Sequence, residues 1–231
     1  KKKEKIIKNY LNQNYGIEII KIENIKFYSF PVPHLQAKNV ISNFSTKKIP
    51  MEIQKLDIYP KLFSIYNFNK FETRKIKLEK NTIDLNLKNF RTLINNTFSL
   101  QKKIYFKDLN IYVKDDNNKI IEIKKIDYKN YGYKKNKIIG EIFDEKFKIS
   151  LESNLSVIDF KLSNTGISAK LKLLENQNPS QLKGELKAKI IHTNIKSDLY
   201  YDDVSLEIKN FFFRNKDLSF DSRGRLVFKP F

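Results

Sequence analysis

Cysteine is absent from this 231-residue chain, and so is tryptophan. No disulfide can staple the fold and no thiolate can hold a metal. Glycine and proline number only six each, and none of G-x-G-x-x-G, the P-loop or G-x-S-x-G occurs. Histidine occurs twice, as His34 and His192, far apart and outside any metal-ligand spacing. Apolar runs last only a few residues, well short of the roughly 20 that a membrane-spanning helix needs. Arginine is scarce too: of 45 basic residues only Arg74, Arg91, Arg214, Arg223 and Arg225 carry a guanidinium. Nucleic-acid grooves favour its bidentate fork, so the net charge of +19 reads first as a lysine-rich solvated face. Attraction to an anionic membrane is the second reading, and no nucleic-acid partner is expected.

What is present is apolar material, 40% of the chain with 13% aromatic, enough for a sizeable core or a long lined cavity. Ile6, Ile7, Tyr10, Leu11 and Tyr15 follow helical spacing, with Gly16 placed as a stop. After Gly16 the period changes from 3.6 to 2. Strands are expected at 17–22, 25–30 and 52–58, the last leading into a possible helical turn over 60–68. ETRKIKL (72–78) and TIDLNL (82–87) read as a pair, and NFRTLINN (89–96) as a short helix. From residue 98 the pattern reads as a plain meander: Leu109, Ile111, Val113; Phe147, Ile149, Leu151; Ile158, Phe160, Leu162; Ile167, Ala169, Leu171, Leu173; Leu182, Leu186, Ile190; Val204, Leu206, Ile208; Leu226, Phe228. Turn clusters fall at 115–118, 175–180, 201–203 and 221–224. Asp115–Asp116 and Asp202–Asp203 look like carboxylate pairs but sit in turns, where Asp bonds its own backbone. No catalytic, cofactor-binding or metal-binding residues are expected, and the chain is read as a non-enzyme.

Alternation of this kind makes one face wet and one dry. Two short helices cannot cover so long a dry face. It must pack on a second sheet, close into a barrel, or curl into a trough that meets something else.

The stretch GIEIIKIENIKFYSFPVPHLQAKNV resembles the opening of AsmA-type envelope proteins. The likeness lies in a helix ending at Gly16, two short strands, and the turn Ser29, Phe30, Pro31, Pro33, Leu35 leading to Asn39–Val40. The segment 49–85 is similar to the family's second block, with its Leu62–Phe63 pair and the closing Ile83 and Leu85. The resemblance implies a TamB-like repeating β-groove, anchored in the bacterial inner membrane and projecting into the periplasm. Its expected work is phospholipid binding and transfer towards the outer membrane, or outer-membrane assembly, without a cofactor. Expected partners are phospholipid acyl chains, the membrane itself through an N-terminal anchor upstream of Lys1, and other envelope proteins. The chain is accordingly read as a piece that continues beyond LVFKPF.

The expected fold is thus mainly β: an elongated, twisted antiparallel meander curled into a groove, with an N-terminal helix and one or two short helices. An AsmA-like module over 1–97 is expected to run into a repeating groove segment over 98–231. Residues expected to line the groove are Ile149, Leu151, Phe160, Leu162, Leu171, Leu173, Leu186, Ile190, Leu206 and Ile208. The alternatives are a structural or adhesive β-sandwich without a ligand, in which these residues form plain core, and an outer-membrane barrel.

Overall fold

The computed structural model describes residues 2–45, 47–61, 64, 71–115, 118–152, 156–174, 181–202 and 204–227. Leu62, Phe63, Asp116, Asp203, Phe228 and the 175–180 turn lie outside the described residues. The chain is mainly β and mostly antiparallel, as the alternation predicts, and the strand order never returns on itself to close a barrel. It divides into two compact units, residues 1–143 and 144–231.

Unit 1 opens with helix α1 (Lys2–Tyr15). Gly16 stops it at φ +65°, its N–H donating to the Asn12 carbonyl at 3.0 Å, a left-handed cap that an L side chain adopts only at a cost. The strands are β1 (Ile17–Lys21), β2 (Ile25–Tyr28), β3 (His34–Phe44), β4 (Ile49–Pro60), β5 (Thr73–Asn86), β6 (Ile104–Asp115), β7 (Asn118–Lys129) and β8 (Lys137–Ile142). β1 and β2 share one edge of β3, and the order then runs β3-β4-β5-β6-β7-β8. One pair departs from the expected antiparallel pattern. β5 and β6 run parallel, which requires a crossover rather than a hairpin. The 3-10 turn Leu87–Asn89 and helix α2 (Phe90–Ser99) supply it. The Asn130 side chain clamps the exit, donating to the Leu100 and Lys102 carbonyls and accepting from the Ile104 N–H.

The core of unit 1 lies on one face of its sheet. Ile53, Leu56, Ile58, Ile76, Leu78, Ile83, Ile104 and Val113 are all buried there. The sheet curls: the Phe44 and Phe106 rings meet edge-on at 6.1 Å although two strands separate β3 from β6. Ile7, Leu11 and Tyr15 are buried on α1, and the Tyr15 hydroxyl meets Thr73 Oγ1 of β5 at 2.6 Å. Phe98 of α2 packs edge-on against Tyr128 of β7.

The expected break between 78 and 82 is no turn. β5 is one 14-residue strand in which Lys80 takes a left-handed conformation at φ 52°. Matching left-handed residues, Asn39 on β3, Asp108 on β6 and Lys125 on β7, lie in neighbouring register, with φ between 49° and 54°. The register slips beside Asp108 and Lys125, the mark of a bulge, whereas β3, β4, β5 and β6 stay in step across Asn39 and Lys80. Local polar groups hold them: Asp127 Oδ1 accepts from the Asp108 N–H at 2.9 Å, and Asn110 Oδ1 from the Lys125 N–H at 3.0 Å. The sequence signal is an apolar spacing of three inside an alternating run, as in Ala37–Val40, Ile53–Leu56, Phe106–Leu109 and Ile123–Ile126. Read strictly with period 2, that spacing hides β7, and β8 also escapes the alternation.

Unit 2 is an antiparallel meander of β9 (Glu145–Leu151), β10 (Val157–Leu162), β11 (Ile167–Leu174), β12 (Leu182–Ile190), β13 (Thr193–Tyr201), β14 (Ser205–Arg214) and β15 (Ser219–Val227), paired in chain order. Asp202 serves its turn as read: its Oδ1 accepts from the Val204 and Ser205 N–H groups at 2.9 and 2.6 Å. Those backbone bonds hold its carboxyl below the ordinary range.

Candidate functional site: the apolar face of unit 2

Directly opposed residues in an antiparallel sheet share a face, so the register assigns every side chain of unit 2 to one side or the other. Leu151, Ile149 and Phe147 on β9 face Ile158, Phe160 and Leu162 on β10. These face Leu171, Ala169 and Ile167 on β11. Leu171, Leu173 and Ile167 then face Leu186, Gly184 and Ile190 on β12. Across β13 the face continues through Ile195, Ser197, Leu199 and Tyr201. Leu199 and Tyr201 meet Ile208 and Leu206 on β14. All ten residues expected to line a groove therefore stand on one face, and the structure brings them together.

The face holds more than those ten. Ile195, Leu199 and Tyr201 belong to β13, a strand whose alternation is obscured by its polar residues. Phe211 and Phe213 join the face because a bulge at Asn210, φ 48°, shifts β14 by one residue. Strict alternation from Leu206 and Ile208 would instead have selected Phe212. The signal in the sequence is again an apolar spacing of three, Ile208 to Phe211. The Phe220 ring on β15 stacks with Phe213 at 4.9 Å and lies 6.1 Å from Phe211.

Packing on this face differs from unit 1. Only Phe147 and Leu162 among its large apolar side chains are buried, at 5% and 8% exposure. Ile149, Leu151, Phe160, Leu171, Leu173, Leu186, Leu206 and Ile208 are half-buried, and Ile190 is 43% exposed. Among the described residues, no helix belongs to unit 2. Side chains gain what cover they have from cross-strand neighbours: a Cβ added at Gly184 would lie 3.2 Å from Leu171 Cδ1 and 3.4 Å from Leu173 Cδ2. Those leucines thus lean over the glycine and roof its position. Most apolar side chains on this face are only part-covered by the described residues.

The sites that carry titratable chemistry lie elsewhere. His34 Nδ1 meets the Val32 carbonyl oxygen at 2.8 Å, and its ring stacks between Tyr28 and Tyr59. His192 is exposed. Among the described residues, no group of three or more His, Asp or Glu could hold a metal ion, and no helix is long and apolar enough to cross a membrane. No family model, no curated protein and no solved structure matches the chain.

Proposed function

We propose that this chain is a non-enzymatic envelope protein whose apolar face on unit 2 takes up phospholipid acyl chains and serves their passage between membranes. One observation carries the reading: seven consecutive strands present a common apolar face that nothing in the described chain seals. Burying an aliphatic or aromatic side chain stabilises by roughly 1.5–3 kcal/mol, so a face left this open gains most from an apolar ligand. Acyl chains suit it because they need no hydrogen bonds, and the face offers few polar groups besides Ser197, Ser222, Thr193 and Tyr201. The likeness of residues 16–87 to AsmA-type proteins supports the same reading, together with a periplasmic location and an inner-membrane anchor. Lipid headgroups would stay in water.

The test is purification in a gentle detergent, then native mass spectrometry with lipid extraction. Co-purifying phospholipid that a fluorescent analogue displaces is the expected result. Leu171→Asp and Leu186→Asp should each lower the occupancy with the fold intact by circular dichroism. A lipid-free, stable wild-type chain would sink the proposal and leave the scaffold reading in its place.

A further inference from the structure

The side of unit 2 opposite the apolar face carries more cations than carboxylates: Asp159 faces Lys170, Glu185 faces Lys172, Asp198 faces Lys209 and Glu207 faces Arg225, and the remaining lysines have no opposed carboxylate. Register places Lys148 against Lys161, Lys170 against Lys187, and Lys187 against Lys196. Like charges directly opposed across strands destabilise a sheet. A depression of about 660 Å3 crosses β10 to β14 on this side, lined by Lys161, Lys170, Lys187, Lys189, Lys196 and Arg214, with Asp159 as its one carboxylate. None of those six cations makes an ion pair within the described residues, Asp159 included as a partner.

On the polar face of unit 1 several lysines do find carboxylates, although Lys75 there stands among Arg74, Lys77, Lys103 and Lys129. Lys55, Lys77 and Lys107 converge on Glu79, while Lys114 meets Asp84 and Lys125 meets Glu141. In unit 2, Lys209 pairs with Glu207.

We infer that this face of unit 2 docks on an anionic phospholipid bilayer surface, whose headgroup phosphates supply the missing counter-charge. Strands lie about 4.8 Å apart, so the array spreads over some 20 Å in one direction and at least two residue rows in the other. That is a two-dimensional field of point charges, suited to a planar charged surface. Lysine ammonium groups act there as hydrated point charges, each adding to the attraction without needing a fixed partner. A single-stranded nucleic acid would call for free aromatic faces alongside the cations. Tyr200 on this side is already engaged by Lys183 and Lys209, which leaves Phe212 as the open ring in the depression. The docking surface stands apart from the acyl-chain reading, because it uses the opposite side of the sheet and needs no lipid to leave the bilayer.

The experiment is co-sedimentation of the full chain with vesicles of phosphatidylcholine alone or with about 30% phosphatidylglycerol. Binding to the anionic vesicles only, reversed by high salt, is expected. The triple variant Lys170→Glu, Lys187→Glu, Lys196→Glu should bind about 100-fold more weakly. A control triple, Lys134→Glu, Lys135→Glu, Lys216→Glu, alters exposed residues off this face by the same total charge and should bind nearly as well as wild type. The glutamate triple keeps like charges opposed, whereas the triple Gln variant at the same positions removes the opposition and should leave the melting temperature unchanged or raise it. If the glutamate triple fails to fold, the triple Gln variant at the same positions must still weaken binding at least tenfold. Equal losses in both triples, equal binding to neutral vesicles, or tighter binding to a single-stranded oligonucleotide than to anionic vesicles would each overturn the inference.

Discussion

The same substitution made on the apolar faces of the two units should have unequal costs. Leu78 on β5 is fully buried between Leu56 and Phe106 in register. Truncating it to alanine removes its transfer free energy and leaves a cavity, so Leu78→Ala should cost about 3 kcal/mol, within the usual range of about 2–5. Leu171 on β11 stands between Ile158 and Leu186 in register, but is only half-buried. Part of its side chain is still wet in the folded chain, and solvent can fill what truncation vacates. Leu171→Ala should therefore cost about 1 kcal/mol. Because the chain has two compact units, one global unfolding curve would mix them. Hydrogen exchange followed by mass spectrometry under increasing urea reads them separately, through peptides from β5 and from β11. Added phospholipid should protect β11 in the wild type and protect it less in Leu171→Ala. If Leu171→Ala cost as much as Leu78→Ala without lipid, the unit 2 face would already be sealed by its own chain, and the case for an open apolar surface would collapse.

Glu79 makes the fold of unit 1 sensitive to acid. Burial opposes its ionisation, but hydrogen bonds from Lys77 and Lys55 and their charges prevail and hold its carboxyl at about 2. A depressed carboxyl contributes stability that is complete above its unfolded value near 4.5 and is lost as pH falls towards 2. Glu79→Gln should thus lower stability at pH 7 by about 1–2 kcal/mol, after allowing for solvent screening around mobile lysines, and flatten the loss between pH 4.5 and 2 in acid titrations followed by circular dichroism. Tyr15→Phe removes the buried 2.6 Å hydrogen bond that ties α1 to Thr73 and should cost about 1–2 kcal/mol. Faster exchange across α1, with β9–β15 unchanged, is the signature to look for; an unaltered α1 would show that apolar packing alone seats the helix. In the wild type the Tyr15 phenol is itself pushed up to about 12, chiefly by burial, so spectroscopic titration should find it among the last tyrosines to ionise.

Some of this was written in the order of the residues. Period 2 announced an all-β chain, the 3.6 period before Gly16 announced α1, and the run 89–96 announced α2, because side-chain direction follows backbone period directly. The ten residues of the unit 2 face were legible for the same reason: alternation within each strand puts Ile149 with Leu151 and Leu171 with Leu173 on one side. Three things were settled only by the tertiary structure. The bulges at Asp108, Lys125 and Asn210 depend on how neighbouring strands align, so Phe211 and Phe213 joined the apolar face against simple alternation. The parallel β5–β6 pair depends on where α2 carries the chain, which a run of apolar residues does not encode. Most of all, the contrast between the two units is a matter of cover. Leu78 and Leu171 look alike in sequence, each set in an alternating strand among lysines. One is sealed within a curled sheet while the other is half open, because burial is decided by what packs above a side chain and not by its neighbours along the chain.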